Sequence, residues 1–389
     1  MEPLKILNVV GCRPNVIKIA PLIAEMKRHS EICQFLVHTG QHYDDALSGI
    51  FFRNLDLDPP DVCLNIGSGS SPHQMSLIMR GMEDVLLEIN PHLVIVVGDV
   101  TSTVASSLTA TSLGFPVAHI EAGLRSFDRD MPEEINRVLT DAISCILFAT
   151  EGSAICNLLR EGKSREEIFF VGNVMIDTLI MNAGKIARSS ILSQLGLTPR
   201  TYALVTLHRK SNVDESSALV EICEGLEQLQ RRIRLVFPIH PRTAVRLQSV
   251  GCWKRLMSLP NIQIVEPLGY LDFIKLMKES VFALTDSGGV QEESTFLGLP
   301  CLTVRENTER PVTITHGTNQ LVGTQRSTIV EKGLEIIDGR RSQVQIPTKW
   351  DGHASKRIVS VLLDKAESIK QSLSSARKGE GCPHTLTPA

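Results

Sequence analysis

The feature that most restricts the fold is an alternation of short apolar runs with amphipathic stretches along most of the chain. A first series of runs is Leu4–Val10, Phe35–Thr39, Leu93–Val97, Val117–Ile120, Ile146–Ala149 and Phe169–Val171. A second is Ala203–Leu207, Leu235–Pro238, Ile262–Val265, Phe282–Thr285 and Cys301–Val304. Within the runs apolar and polar residues do not alternate cleanly, so both faces of each strand are expected to be covered. Between them, stretches such as Ser153–Arg160, Ser216–Gln230 and Tyr270–Lys278 have helical spacing. The pattern predicts an α/β chain built on doubly wound parallel sheets.

That series is too long for one ordinary sheet, and 389 residues suffice for two to three domains at ~150 residues each. The division is expected near 172–200, where Val174–Leu195 reads as one long helix ahead of Gly196-Leu197-Thr198-Pro199. The reading is two Rossmann-like domains facing each other across a cleft, residues 1–172 and 173–351. Ala354–Leu373 reads as a long last helix, and residues 376–389 as a flexible tail.

Composition narrows the class. A hydrophobic share of 42% is ordinary for a globular protein. A net charge of −3 without a basic block argues against nucleic acid as a partner. No apolar stretch approaches the ~20 residues that cross a bilayer, so no membrane partner is expected. The opening run before Gly11 is short for a signal peptide and reads as a first strand. Nine cysteines, scattered and without a CxxC pair, suggest reduced thiols in a cytoplasmic protein. His208 and His240 stand alone along the chain, and no metal-ligand cluster is expected.

In open α/β sheets ligands bind at the carboxyl ends of strands, so strand-end residues matter most. In Val281–Glu293 an apolar run ends in Thr285-Asp286-Ser287-Gly288-Gly289 and a helical pattern begins at once. Free backbone N–H groups and the helix dipole there suit a phosphate or diphosphate. Glycine lets the backbone approach the anion. Glu292 and Glu293 would repel phosphate and are better suited to ribose hydroxyls or the dipole. The same letters also describe an ordinary strand–helix turn.

After the first strand, Gly11-Cys12-Arg13-Pro14-Asn15-Val16-Ile17-Lys18 lets Arg13 and Lys18 converge on an anion, with Pro14 opening a helix; two solvated cations are the alternative. Neither GxxxxGK[ST] nor GxGxxG is present, which weakens a P-loop or dehydrogenase reading. Asp99 and Glu121 lie at strand ends, and Glu133-Glu134 follow Met131-Pro132. Carboxylates gathered in this way can separate into an acid and a base. Glu133 and Glu134 equally fit the first turn of a helix. His208 ends a strand and suits proton transfer at neutral pH, or only hydrogen bonding; His240 ends the next. The loop Arg305-Glu306-Asn307-Thr308-Glu309-Arg310-Pro311 fits a charged, hydroxyl-rich ligand, or is a solvated charged loop.

Taken in order, GCRPNVIK, TGQHYD, VVGDVTST, HIEAGLRSFDRDMPEEINR, FVGNVMIDTL, TLHRK, TDSGGVQEES, RENTERPVT and WDGHASKRI resemble the non-hydrolysing UDP-N-acetylglucosamine 2-epimerases. The resemblance implies a glycosyltransferase-B-like fold whose last helix, about 352–375, packs back on the first domain. It implies a homodimer that interconverts UDP-GlcNAc and UDP-ManNAc without a redox cofactor. UDP is eliminated across C1 and C2 to leave 2-acetamidoglucal, then re-added, to supply surface polysaccharide. Asp99, Glu121 and Glu133 become the catalytic carboxylates, and His208 the assistant near the diphosphate. Arg13, Lys18, Arg137, His240, Ser287, Gly288, Gly289, Glu293 and Arg310 become UDP-sugar contacts. Which carboxylate takes the C2 proton stays open.

Three departures from the family's commonest pattern stand out. Cys12 replaces a threonine, Ser211 a glutamate, and Gln41-His42 are followed by Tyr43-Asp44, which implies weak or absent activation by a second substrate molecule. The alternatives are another UDP-sugar, such as a diacetamido uronic acid, or the hydrolysing branch that releases ManNAc and UDP. A glycosyltransferase or a nucleotide-sugar-binding protein fits the acidic set and His208 less well.

Overall fold

The computed structural model describes residues 2–40, 52–340 and 344–377, with side chains through residue 371. The chain forms two compact units, Met1–Thr178 with the segment from Asp351 onward, and Leu179–Trp350.

The first unit contains β1 (Leu4–Val10), β2 (Ile32–His38), β3 (Val62–Cys63), β4 (Leu93–Val97), β5 (Val117–Ala122), β6 (Ile146–Ala149) and β7 (Ile168–Phe170). They form a seven-stranded parallel sheet in the order β3-β2-β1-β4-β5-β6-β7. β4 and β5 are buried along their whole length, which is why their sequences are continuous apolar runs. The second unit contains β8 (Tyr202–Thr206), β9 (Arg234–Pro238), β10 (Ile262–Val265), β11 (Ala283–Thr285), β12 (Cys301–Thr303) and β13 (Asn319–Leu321). This sheet is six-stranded and parallel, in the order β10-β9-β8-β11-β12-β13. Its core packs Val205, Phe237, Leu284 and Leu302 of the sheet against Leu219, Ile222 and Leu226 of the helix Ser216–Leu229.

In each unit the strand order changes direction once, between β1 and β4 and between β8 and β11. Those are the topological switch points at which a doubly wound sheet opens a crevice beyond its strand ends. Gly11 and Gly98 follow the first pair, Leu207-His208 and Asp286 the second.

Several expectations change. The edge strands β3 and β13 were not anticipated; each is short, polar or half-exposed, and recognisable only by its neighbour. Val174–Leu195 is three helices, Val174–Met181, Ala183–Arg188 and Ile191–Gln194, instead of one. Ser189 Oγ accepts from Ile191 N at 3.2 Å, so a side chain takes a backbone donor that a continuous helix would use itself. The last helical segment likewise breaks at Lys365, into Ala354–Asp364 and Ala366–Arg377. The Lys365 ammonium sits 5.1 Å from the Phe169 ring centroid. Ala354–Asp364 packs on Arg13–Met26, and Asp177 caps it by accepting from Ala354 N (3.1 Å) and Ser355 N (2.7 Å). Residues 376 and 377 complete Ala366–Arg377, and the rest of the expected tail lies outside the described residues, as do Gln41, His42, Tyr43 and Asp44.

Candidate active site

At the first switch point the turn after β1 is built for close approach. A Cβ on Gly11 would lie 2.1 Å from Ser102 Oγ, so no other residue fits. Asn15 ties this turn to the end of β4. Its Oδ1 accepts from the backbone N–H groups of Gly11 and Cys12, each at 3.2 Å, and its Nδ2 donates to Val97 O at 2.9 Å. Arg13 is half-buried at the helix start. Lys18, one turn further on, forms a buried ion pair with Glu121 Oε2.

Glu121 is held in an unusual backbone. Its φ is +70°, a left-handed conformation costing a non-glycine residue roughly 1–2 kcal/mol. The β5–β6 register shifts between Ile120 and Ala122, so Glu121 is the bulged residue and its side chain is re-aimed. Glu121 Oε1 is buried and has no hydrogen-bond partner among the described residues.

One helix, Pro132–Ile143, supports the other groups. Glu134, Arg137 and Asp141 follow each other at helical spacing and are all buried. Arg137 pairs with both Asp99 and Glu134. Glu134 also accepts from Ser126 N and Phe127 N, each at 2.9 Å, which closes the loop after β5. Asp141 accepts from His119 Nδ1 (2.6 Å) and Gly123 N (2.9 Å) and pairs with Arg125 (2.7 Å). Burial pushes the Asp141 carboxyl up, but His119, Arg125 and the Gly123 amide outweigh it and hold it below the usual carboxylate range. Glu133 is half-buried and makes no hydrogen bond or ion pair among the described residues.

At the second switch point Asp286 is the organising residue. It is fully buried and accepts from His208 N (3.0 Å), Arg209 N (2.9 Å) and Asn212 Nδ2 (3.2 Å). His208 Nδ1 lies 2.9 Å from its Oδ1. Burial raises the Asp286 carboxyl, yet His208 and these N–H donors bring it below the ordinary range. The pairing orients the imidazole with Nε2 turned away from Asp286. His240 caps the helix Pro241–Ser249, its Nδ1 accepting from Arg242 N at 3.2 Å, and its ring centroid is 6.4 Å from that of His208.

Ser287 is the N-cap of the helix Gly288–Leu297, without a side-chain cap bond. Gly289 is half-buried in the first turn. A Cβ on Gly288 would fall 2.4 Å from Arg310 Nη1, so the guanidinium packs directly beneath the glycine. Arg310 is buried among Glu309 and Glu292. Glu309 also meets Arg305 at 2.8 Å and Arg209 at 3.3 Å. The loop after β12 is therefore no solvated charged loop, since Arg305, Glu309 and Arg310 are buried and paired while Glu306 is exposed. Glu293 is buried with Oε1 unpartnered among the described residues. Its carboxyl is pushed up to about 8, by burial and then by Glu292, against a pull from the Tyr270 hydroxyl. Among the described residues no group of three or more His, Cys, Asp and Glu is arranged to hold a metal ion.

The family model for UDP-N-acetylglucosamine 2-epimerase matches residues 24–363. A UDP-N-acetylglucosamine 2-epimerase of Methanocaldococcus jannaschii is 42% identical over 365 residues, covering 92% of this chain and 99% of the relative. The chain belongs to the UDP-N-acetylglucosamine 2-epimerase family. A solved structure of the Methanocaldococcus jannaschii UDP-GlcNAc 2-epimerase in complex with UDP-GlcNAc and UDP is similar at a TM-score of 0.88 and 41% identity, over 93% of this chain and 100% of that one. A UDP-2,3-diacetamido-2,3-dideoxy-D-glucuronate 2-epimerase of Pseudomonas aeruginosa is 40% identical over 363 residues, 92% of this chain and 99% of that protein. The two Rossmann-type units are those of the family's glycosyltransferase-B-like fold.

Within this family member the structure brings Lys18 to Glu121, Arg137 to Asp99, His208 to His240 and Arg310 to Gly288. Lys18 and Arg137, expected to reach the ligand, are partners of carboxylates. Asn15, His119, Asp141 and Asp286 were not singled out as site residues. The available signal was placement for three of them, for Asp286 directly follows a strand, Asn15 lies in the first turn of the helix after β1, and Asp141 is one turn beyond Arg137, whereas His119 lies within β5.

Proposed function

We propose that the protein interconverts UDP-GlcNAc and UDP-ManNAc by the non-hydrolysing route. The observation that carries this reading is Glu121, a buried carboxylate at a strained bulge, held by Lys18 with one oxygen left unpartnered among the described residues. A carboxylate takes the C2 proton, the C1–oxygen bond breaks, and UDP leaves with the bonding pair to give 2-acetamidoglucal. UDP then re-adds at C1 while a second group returns a proton to C2 from the opposite face. Asp99, Glu121 and Glu133 are the carboxylates. His208, oriented by Asp286, assists at the diphosphate, with Arg13 and His240 as further contacts.

The amides of Ser287, Gly288 and Gly289 at the helix N-terminus take the diphosphate, and Arg310 braces that turn from below. Glu293 takes the ribose hydroxyls. The relative solved with UDP-GlcNAc and UDP supports the substrate class. The 40% identity to a diacetamido-glucuronate epimerase favours one second reading, in which that nucleotide-sugar is the substrate.

The deciding experiment is proton NMR of the protein with UDP-GlcNAc in D₂O. Intact UDP-ManNAc carrying deuterium at C2 is the expected outcome. Free ManNAc with UDP would place the chain in the hydrolysing branch, and turnover of only the diacetamido-glucuronate substrate would establish the second reading.

A cytoplasmic homodimer is the accompanying proposal. Exposed Leu87, Leu108, Ile135 and Leu139 lie on three successively packed helices, Ser71–Ile89, Thr101–Ser112 and Pro132–Ile143. Free cysteines support a reducing setting. Among the described residues no helix is long and apolar enough to cross a membrane. Light scattering of the wild type and of Leu139→Glu tests the dimer; an unchanged mass for the variant would count against this face.

A further inference from the structure

His119 is wholly buried, and both of its ring nitrogens face acceptors. Nδ1 lies 2.6 Å from Asp141 Oδ1, and Nε2 lies 2.8 Å from the Gly98 carbonyl oxygen. A carbonyl oxygen only accepts, and so does an ionised carboxylate. Each of the two contacts therefore carries a hydrogen, so both ring nitrogens are tied to their partners. Asp141 is fixed in turn, with Gly123 N and Arg125 Nη2 both at its Oδ2.

Arg125, paired with Asp141, also binds Glu161 through two nitrogens at 2.6 and 2.8 Å, so the carboxyl that meets His119 is itself held by a fixed cation. A Cβ on Gly98 would lie near Lys18 Nζ and Glu121 Oε2, at 3.2 and 3.7 Å, which puts that further ion pair beside the same glycine.

The placement of those bonds bears on chemistry. The Gly98 carbonyl belongs to the peptide that joins Gly98 to Asp99, and Gly98 itself has φ +71°. Its N–H is bonded to Ile120 O at 3.1 Å, so the His119 ring completes the fixation of that unit. At the other end Asp141 Oδ2 holds the Gly123 amide, two residues beyond the strained Glu121. One His119–Asp141 pair thus spans the two backbone segments that carry Asp99 and Glu121.

We propose that His119 is a positioning residue for the reaction: bonded at both nitrogens, it ties the Gly98–Asp99 peptide to Asp141, and through Asp141 to the Gly123 amide, holding Asp99 and Glu121 in mutual register. The inference rests on the reading of Asp99 and Glu121 as proton-handling carboxylates.

The test compares His119→Gln, Asp141→Asn and the double variant with Asp99→Asn and Glu121→Gln, with kcat and KM for UDP-GlcNAc beside UDP affinity by calorimetry. Misplacement of a reacting group by about 1 Å costs roughly 10²-fold in rate. His119→Gln and Asp141→Asn are each expected to lower kcat by about that factor, with KM and UDP affinity within about threefold of wild type. The double variant should be no worse than the poorer single, because both act through one unit.

A folded His119→Gln enzyme with kcat within about twofold of wild type overturns the proposal, while an inactive Asp99→Asn leaves the functional reading standing. If Asp99→Asn and Glu121→Gln both turn over normally, the reading beneath it fails instead. A parallel fall of kcat, UDP affinity and Tm would mean a purely structural role. Should the variants fail to fold, ¹⁵N NMR of histidine-labelled wild type at pH 8 decides. A hydrogen-bonded signal at each ring nitrogen of His119 supports the assignment, and a nitrogen without a hydrogen bond defeats it.

Discussion

The two switch points of this molecule have the same topology and opposite electrostatics. Beyond β1 and β4 the candidate groups are charged side chains, and all but Glu133 of the proposed carboxylates are locked to a partner: Lys18 to Glu121, Arg137 to Asp99 and Glu134, and His119 and Arg125 to Asp141. Beyond β8 and β11 the forward surface is backbone, a helix N-terminus opened by Ser287 and Gly288, and the acids stand behind it. Asp286 and Glu309 are saturated by hydrogen bonds and ion pairs, and Glu293 is pushed up to about 8 and so largely neutral at pH 7. Proton transfer needs fixed charges, whereas a diphosphate site needs donors with no competing anion in front of them. Under the proposed function one fold serves both, and the strand-end residues make the difference.

The contrast is broken most directly by removing one charge from the first region. Glu121→Gln and Asp99→Asn are expected to lower turnover by about 10²–10⁴-fold, the usual contribution of a positioned acid or base. UDP affinity should stay within about twofold, because the proposed diphosphate site is in the other unit. Turnover and calorimetry on the same preparations check both halves. Near-wild-type turnover in the two variants would remove the assignment of chemistry to this region.

A second comparison uses one methyl group in each region. Gly123 has φ +82°, and a Cβ there would lie 2.3 Å from Ala154 O, a backbone atom that cannot move aside. Gly123→Ala should cost about 3 kcal/mol or more of stability. The Cβ of Gly288→Ala meets the Arg310 guanidinium, the end of a side chain, and is expected to cost about 1–2 kcal/mol while weakening UDP roughly tenfold. Thermal melts with and without UDP separate the two. If Gly288→Ala lost stability but bound UDP normally, the second region would be scaffold instead of binding surface.

Glu293 sharpens the contrast through pH. Its folded pKa of about 8 exceeds the ordinary 4.5, so the folded state holds the proton more tightly than the unfolded one. Its contribution is therefore fully present below 4.5 and is lost as pH rises through 8. Glu293→Gln removes the penalty and should be about 1 kcal/mol more stable at pH 8.5, a few degrees in Tm, with the gain shrinking toward pH 5. Under the proposed role at the ribose, UDP affinity should fall by roughly tenfold or more, and more steeply above pH 8, where an amide replaces an ionised carboxylate. A Tm difference independent of pH would show that the buried charge is not its source.

Most of the central strands were legible because burial on both faces writes itself as an unbroken apolar run, as in Leu93–Val97. The edge strand Asn319–Leu321 left no such mark, being held by pairing with β12. Glu121 was legible as a strand-end acid, but the bulge that aims it was not, because a register shift is a relation between two strands. The partners of the acids were also hidden. Lys18 is 103 residues from Glu121, and Arg137 is 38 from Asp99, so nothing local announces that these cations serve carboxylates in the same unit. Asp286 could be seen as part of the glycine turn, but its bonds to His208 and Arg209 exist only because β8 and β11 are adjacent.

The smallest effect is expected at Cys12, which the resemblance marks as a departure from threonine. Cys12 is the N-cap of Arg13–Met26 and is buried, its Sγ 3.2 Å from Asn15 Oδ1. Burial above all pushes its thiol up to about 11, so at neutral pH it is a protonated donor and no nucleophile. A threonine hydroxyl can make the same bond and is the better N-cap, so Cys12→Thr should gain about 0.5 kcal/mol and leave kcat within about twofold. Thermal melts and turnover of that variant, with slow alkylation of wild-type Cys12 at pH 8, check the three parts. A tenfold loss of turnover would give this turn a chemical role of its own, and the charges at Asp99 and Glu121 would no longer account for the first region alone.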